Sequence, residues 1–205
     1  MFTQTRLDNA LAAIGAAPSV DLFDQLKHLY NEPSRFYHSQ THVEECLKAL
    51  DTHRDLAKKA NEIEVAIWFH DAIYNSLKSD NEEQSAALAV TTLSSLGVAP
   101  NCVAAIEAMI LATKSHIAHD PDTELLLDID LAILGQPSAV FHAYDESIRK
   151  EYSWVPEVQY RHARESILKN FLERSRIYQT DRFYELYEVQ ARRNLSGQID
   201  KLSEN

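Results

Sequence analysis

Apolar residues recur every three to four positions along most of the chain, which is the period of an amphipathic α-helix. Leu22, Leu26 and Leu29, for example, fall on one face of a helical wheel. The same spacing predicts helices at about 3–14, 21–30, 38–56, 62–74, 82–96, 100–114, 123–134, 137–152, 156–178 and 180–195. The chain has only 4 glycines and 6 prolines, so residues that break helices are scarce. We therefore predict an all-α fold, with a single helical domain over residues 1–205.

The charge balance narrows the classes of partner. The 205 residues include 20 basic and 31 acidic side chains, which gives a formal net charge of −11. Such a surface argues against a nucleic-acid polymer, because binding to its phosphates needs basic side chains. A small phosphorylated substrate remains compatible, since a bound metal ion can supply local positive charge.

Other features indicate a cytoplasmic protein. The two cysteines, Cys46 and Cys102, form no disulfide framework, and Cys46 is predicted to be a core residue. The N-terminal residues lack the pattern of a signal peptide. No apolar run approaches the length of a membrane span, so we expect no membrane partner. The sequence is compatible with a monomer and with a dimer.

The most informative local feature is the adjacent pair His70 and Asp71, which follows the apolar run 66–69. Burying this pair without partners would be costly. A divalent cation would satisfy both side chains, since imidazole and carboxylate are good metal ligands. His42 offers a second imidazole from the inward face of the predicted helix 38–56. His38 is four residues earlier, so we expect it on the same helix face.

The downstream carboxylate has two candidates, Asp128 and Asp130, which lie about 200° apart on a helical wheel. Asp130 has Leu126 and Leu134 four residues away on either side, so we expect it to point inward. Asp128 is expected near the surface or as a cap. The predicted metal ligands are His42, His70, Asp71 and Asp130. Nitrogen and oxygen ligands of this kind suit Mn²⁺, Mg²⁺, Fe²⁺, Zn²⁺, Co²⁺ or Ni²⁺, and ligand softness does not choose among these ions.

The order His … His-Asp … Asp resembles the signature of the HD-domain superfamily of metal-dependent phosphohydrolases. The run Asp128-Ile129-Asp130-Leu131 is similar to an Asp-Ala-Asp-Arg-Leu stretch in many small HD proteins, whose second Asp is a metal ligand. A bacterial branch described as predicted HD phosphohydrolases is similar in further stretches, 69–74, 81–86, 148–152 and 191–195. The resemblance covers about residues 20–195 and implies an HD-type helical bundle. It also makes Asp71 the expected bridge if a second ion is bound.

The stretch from Tyr37 to His42 is similar to the His-Asn-x-x-His element of cyclic-nucleotide phosphodiesterases, with Ser39 in place of Asn. That resemblance implies that His38 protonates the leaving oxygen. Asp71 and Glu83 are further catalytic candidates, Glu83 through a metal-bound water or a ligand histidine. The alternative for Glu83 is a solvated or capping residue at a helix start.

Five further residues are candidates for binding a second metal ion or the substrate. For each of them the alternative is a surface position or a structural role. They are His116, Glu82, Lys114, Arg35 and Arg149. A guanidinium can bind phosphate through two parallel hydrogen bonds, which is the reason for naming the arginines. Tyr74 could line the pocket.

These residues lead to a functional expectation of a metal-dependent phosphohydrolase. In such an enzyme a metal-activated water attacks a small phosphoester, and nucleotides are the first substrate class to consider. Two alternatives remain open. One is a non-catalytic module that uses the metal for binding or sensing. The other is an HD-type di-iron oxygenase, which would need extra histidine ligands such as His116.

Overall fold

The structure is a computed structural model that describes residues 1–204, and all regular secondary structure in that range is helical. The α-helices are α1 Gln4–Ala13, α2 Leu22–Tyr30, α3 Gln40–Thr52, α4 Ala60–Phe69, α5 Asn81–Ser95, α6 Pro100–Ala112, α7 Pro121–Asp130, α8 Ser138–Glu151, α9 Glu157–Leu172 and α10 Asp181–Ser203. Two 3-10 helices cover Arg54–Leu56 and Leu131–Gly135. The all-α prediction is confirmed.

The chain divides into two compact units, Met1–Ile129 and Asp130 onward. The boundary falls inside the last turn of α7, so Asp130 is covalently part of a helix whose other residues belong to the first unit. The single-domain interpretation stays a prediction.

In the first unit, α4 is the central helix. It packs against α1, α3, α5 and α6, and every residue from Ile63 to Phe69 is buried. A helix that is apolar on all sides is stable only where neighbours cover every face. The end of α4 therefore delivers His70 and Asp71 into the interior of the helical unit.

In the second unit, α10 packs against α9 and against the 3-10 helix Leu131–Gly135. The Asn194 side-chain amide donates hydrogen bonds to the carbonyls of Leu134 and Gln136, each at 2.8 Å. A Cβ atom on Gly135 would lie 2.5 Å from the Cβ of Tyr187. The close approach of the two backbones thus requires glycine at position 135.

Several predicted helix ends differ from the structure, most of all at α10, which ends at Ser203 instead of about residue 195. Helix α3 begins at Gln40 instead of residue 38, because Ser39 adopts an extended conformation as the N-cap. Helix α4 ends at Phe69 instead of residue 74, and α9 ends at Leu172 instead of residue 178.

Within residues 1–204, no single helix combines the length and apolarity needed to cross a membrane. The helices of Pro121–Gly135 and Ser138–Glu151 meet that test only when they are taken together as a bent pair.

Candidate metal centre

A hydrogen bond from one ring nitrogen of His70 determines which nitrogen faces the other candidate ligands. His70 caps the C-terminus of α4 in a helical conformation, and its Nδ1 lies 2.9 Å from the carbonyl oxygen of Ile67. A carbonyl can only accept, so Nδ1 carries the proton in this bond. The lone pair of the neutral ring is then on Nε2, as in histidines that bind metal ions.

Three donor atoms converge beside that nitrogen. His42 Nε2 lies 3.1 Å from His70 Nε2, and Asp71 Oδ2 lies 3.1 Å from His70 Nε2 and 3.6 Å from His42 Nε2. An ion held by bonds of ~2.1 Å at angles of about 90–110° separates neighbouring donors by ~3.0–3.4 Å. The triangle of His42, His70 and Asp71 therefore has the dimensions of one face of a metal site.

The charges around Asp71 keep its carboxyl group ionised. Burial by itself would raise the pKa of Asp71. Without an ion, protonated His70 and His38 lower this pKa by their charges, and protonated His70 also donates a hydrogen bond from Nε2, and together these effects outweigh burial. The result is a pKa below the ordinary value for aspartate. A carboxylate is the form that can bind a cation, so the surroundings favour the ligand state of Asp71.

Two more potential ligands lie close to the two histidines. His42, Cys46, His70 and Asp130 each offer one atom, and these four atoms all lie within 4.8 Å of one another. Helix α7 brings Asp130 there as its last residue. Asp71 is not a member of this group of four, which is the only group of its kind among residues 1–204.

The choice of Asp130 over Asp128 agrees with this group, but the expected surface location of Asp128 is wrong. Asp128 is fully buried, whereas Asp130 is partly exposed. A helix with a single buried face would leave Asp128 exposed, but every residue of α7 from Leu125 to Ile129 is buried. In a helix covered on several sides, burial does not distinguish an inward carboxylate from its neighbours.

His38 is placed differently from the prediction. It precedes α3, so it does not share a helix face with His42. The two rings are nevertheless 6.3 Å apart between centroids. The His38 ring stacks on Tyr74, with centroids 4.1 Å apart and an angle of 23° between the ring planes. His38 is thus held beside the candidate metal ligands by an aromatic neighbour and remains partly exposed.

Arg35 is not exposed to a substrate. Its side chain has no accessible surface, and its guanidinium donates hydrogen bonds to the carbonyl oxygens of His38, Asp71 and Ala72. Its Nε also lies 3.0 Å from a Glu32 carboxylate oxygen. The predicted phosphate contact is therefore corrected, because the donors that would bind phosphate already bind the protein backbone.

Glu83 and Lys114 bind each other at the surface. The Lys114 ammonium forms an ion pair with the Glu83 carboxylate and donates a second bond, of 2.7 Å, to the carbonyl of Ser79. The hydrogen bond with Lys114 lowers the pKa of the Glu83 carboxyl group, and the same bond raises the pKa of the Lys114 ammonium. Both changes favour the charged forms that make the ion pair. Glu82, in the same first turn of α5, is partly exposed. The predicted catalytic part of Glu83 and the substrate contacts of Lys114 and Glu82 stay predictions.

The remaining candidates also have defined positions. His116 follows α6 with a positive φ of 52°, and it is not a member of the group of potential metal ligands found within residues 1–204. Arg149, in the second unit, donates to the carbonyls of Tyr152 and Val155 and to the Glu157 carboxylate. These bonds link the end of α8 to the start of α9, which is a structural use of the guanidinium.

Cys46 is buried, as predicted, and the structure also places it among the potential metal ligands. Its position four residues after His42 was a signal for this, because such residues are neighbours on a helix.

Comparisons with protein-family models, with curated proteins and with solved structures find no match for the chain. The resemblance to the HD-domain superfamily thus rests on the sequence pattern alone.

Proposed function

We propose that the protein is a metal-dependent phosphohydrolase that acts on a small phosphorylated substrate, with nucleotides as the first class to test. The observation that carries this proposal is the convergence of His42 Nε2, His70 Nε2 and Asp71 Oδ2 within 3.1–3.6 Å of one another. The order of these residues also matches the HD signature, in which the same ligand types serve phosphoester hydrolysis.

The residues fit a divalent ion in their chemistry as well as their spacing. His42, His70 and Asp71 would hold it, together with Asp130 at the end of α7. When bound, the ion would supply an activated water and positive charge beside the phosphoryl oxygens. The ionised carboxylate of Asp71 would stabilise the bound ion, because its negative charge offsets the positive charge of the ion.

His38 is the proposed general acid. A proton on its ring would pass to the leaving oxygen of the substrate as the phosphoester bond breaks. The stack with Tyr74 restricts the orientation of the ring, and partial exposure gives a substrate access to it. Arg35 contributes by fixing the backbone of His38 and Asp71 and is a positioning residue.

The first test measures metal content and hydrolysis on the same preparations. The purified chain is loaded in turn with Mn²⁺, Mg²⁺, Fe²⁺, Zn²⁺, Co²⁺ and Ni²⁺, and each form is screened against nucleotides and other phosphoesters. We expect one equivalent or more of metal and release of phosphate. Asp71→Ala should lose both, whereas His28→Ala, which changes an exposed histidine, should lose neither.

The results separate the proposal from its alternatives. Full metal retention by Asp71→Ala would contradict the ligand assignment. A metal-loaded protein that hydrolyses no phosphoester would favour a module that binds or senses. Consumption of dioxygen by the iron form, without release of phosphate, would favour an oxygenase.

A further inference from the structure

Cys46 lies where it can bind the same ion as the histidines. Its side chain is 3% exposed, and its Sγ is 3.7 Å from His42 Nε2 and 3.8 Å from Nδ1. Proximity to His42 alone would mean little, since residues four apart are neighbours on any helix. The informative fact is that Sγ also lies within 4.8 Å of donor atoms from His70 and Asp130, at the ends of two other helices.

The spacing agrees with a shared ion. An ion bonded to nitrogen at ~2.0 Å and to sulfur at ~2.3 Å, at a tetrahedral angle, holds the two atoms ~3.5 Å apart. The distance of 3.7 Å between Cys46 Sγ and His42 Nε2 is close to that value. The nearly equal distance of 3.8 Å to Nδ1 places the sulfur beside the ring, so binding an ion on Nε2 requires another rotamer of the Cys46 side chain.

We propose that Cys46 supplies a thiolate ligand to the metal centre, and this inference rests on the metal site of the proposed function. On binding, the thiol would release its proton to solvent and its sulfur would coordinate the ion. A sulfur ligand discriminates among metals, because thiolates favour Zn²⁺, Co²⁺ and Fe²⁺ over hard ions such as Mg²⁺. Cys46 would thus narrow a choice that the histidines and carboxylates leave open.

Cobalt substitution tests the ligand directly. The metal-free chain is titrated with Co²⁺ while bound cobalt is counted and the near-ultraviolet absorption is recorded. A thiolate bound to Co²⁺ gives an intense charge-transfer band, which nitrogen and oxygen ligands do not give. We expect this band to rise in proportion to bound cobalt and to be absent in Cys46→Ser and in Cys46→Ala.

The second cysteine provides a matched control. Cys102 is also buried, at 8% exposure, but it lines a separate cavity of about 560 Å³ with Lys59 and Glu62. Cys102→Ser should keep the band at full intensity. Circular dichroism of all three variants establishes that they are folded. Cys46→Ala controls for the cost of burying the serine hydroxyl in Cys46→Ser.

The outcomes distinguish this inference from the proposed function. Bound cobalt without a charge-transfer band, or a band that disappears in Cys102→Ser, would overturn the assignment of Cys46 and leave the phosphohydrolase proposal intact. A chain that binds no cobalt would overturn both. In competition between Zn²⁺ and Mn²⁺, Cys46→Ser should lose about 10-fold or more of the preference for Zn²⁺.

Discussion

The guanidinium of Arg35 donates a hydrogen bond from Nη1 to the backbone carbonyl of Asp71 across 2.5 Å. The same nitrogen lies 3.1 Å from the carbonyl of His38. One buried cation therefore joins the backbone of the proposed general acid to the backbone of the proposed metal ligand. This link fixes the separation of two side chains that come from different segments of the chain.

Substitution of Arg35 tests that link. Arg35→Lys keeps the charge but cannot reach the carbonyls of His38, Asp71 and Ala72 together, since an ammonium lacks the planar fork of a guanidinium. We expect a loss of about 1–3 kcal/mol in the free energy of unfolding and a reduction of about 10–100-fold in kcat. Metal content should be unchanged. Denaturant titration, metal analysis and kinetics on one preparation provide these values.

Arg149→Lys is the control for Arg35, because Arg149 also donates to two backbone carbonyls, those of Tyr152 and Val155. It should lower stability without lowering kcat in proportion. Equal effects of the two substitutions on kcat would mean that Arg35 acts only through general stability.

The His38–Tyr74 stack leads to a second prediction, which concerns leaving groups. His38→Ala should slow hydrolysis of esters with poor leaving groups by about 100-fold or more, the usual contribution of a general acid. Esters whose leaving oxygen needs no proton should be affected much less, and metal content should be retained. Tyr74→Leu keeps the acid but removes a ring contact of about 1 kcal/mol, so we expect a smaller loss of the same kind. An equal loss of activity on esters with good and with poor leaving groups would contradict the proposal that His38 is the general acid.

The helices could be predicted from sequence because their apolar residues keep a regular period, and breakers mark several of their ends. Gly97, for example, has a positive φ of 79° just after α5. The pattern did not reveal that α3 begins at Gln40 or that α4 ends at Phe69. Those ends depend on a few backbone angles, which the apolar period does not determine.

His42, His70, Asp71 and Asp130 could be named as candidate ligands from sequence, because each is a metal-binding residue type in an apolar context. Cys46 was predicted only as a core residue. The contacts that surround these ligands could not be predicted from the sequence. Arg35 and the Asp71 carbonyl are 36 residues apart, and Glu83 and Lys114 are 31 apart. Contacts over such separations arise from tertiary packing, which a local sequence pattern does not describe. Arg35 and Arg149, both predicted to bind phosphate, instead donate hydrogen bonds to backbone carbonyls of the protein.

Gly135 and Gly197 provide a paired prediction on stability. Gly135→Ala places a methyl group 2.5 Å from the Cβ of Tyr187, and we expect a loss of about 1–3 kcal/mol from overpacking. Gly197 lies within α10 with no atom within 4 Å of an added Cβ. Gly197→Ala should therefore stabilise the helix by up to about 1 kcal/mol. Thermal melts of the two variants would show shifts of opposite sign, and shifts of the same sign would contradict the packing around Gly135.

The Glu83–Lys114 ion pair suggests a test of the predicted catalytic function of Glu83. Its carboxylate is exposed and bound to the Lys114 ammonium at the surface, where an ion pair contributes little to stability. We expect Glu83→Gln to leave turnover, metal content and the melting temperature unchanged, and Lys114→Met to behave in the same way. Both variants would be measured on the substrate found in the phosphoester screen, with Asp71→Ala as the inactive reference. A reduction of about 100-fold in turnover for Glu83→Gln alone would instead establish the predicted catalytic part of this carboxylate. It would also mean that the ion pair with Lys114 opens when substrate binds.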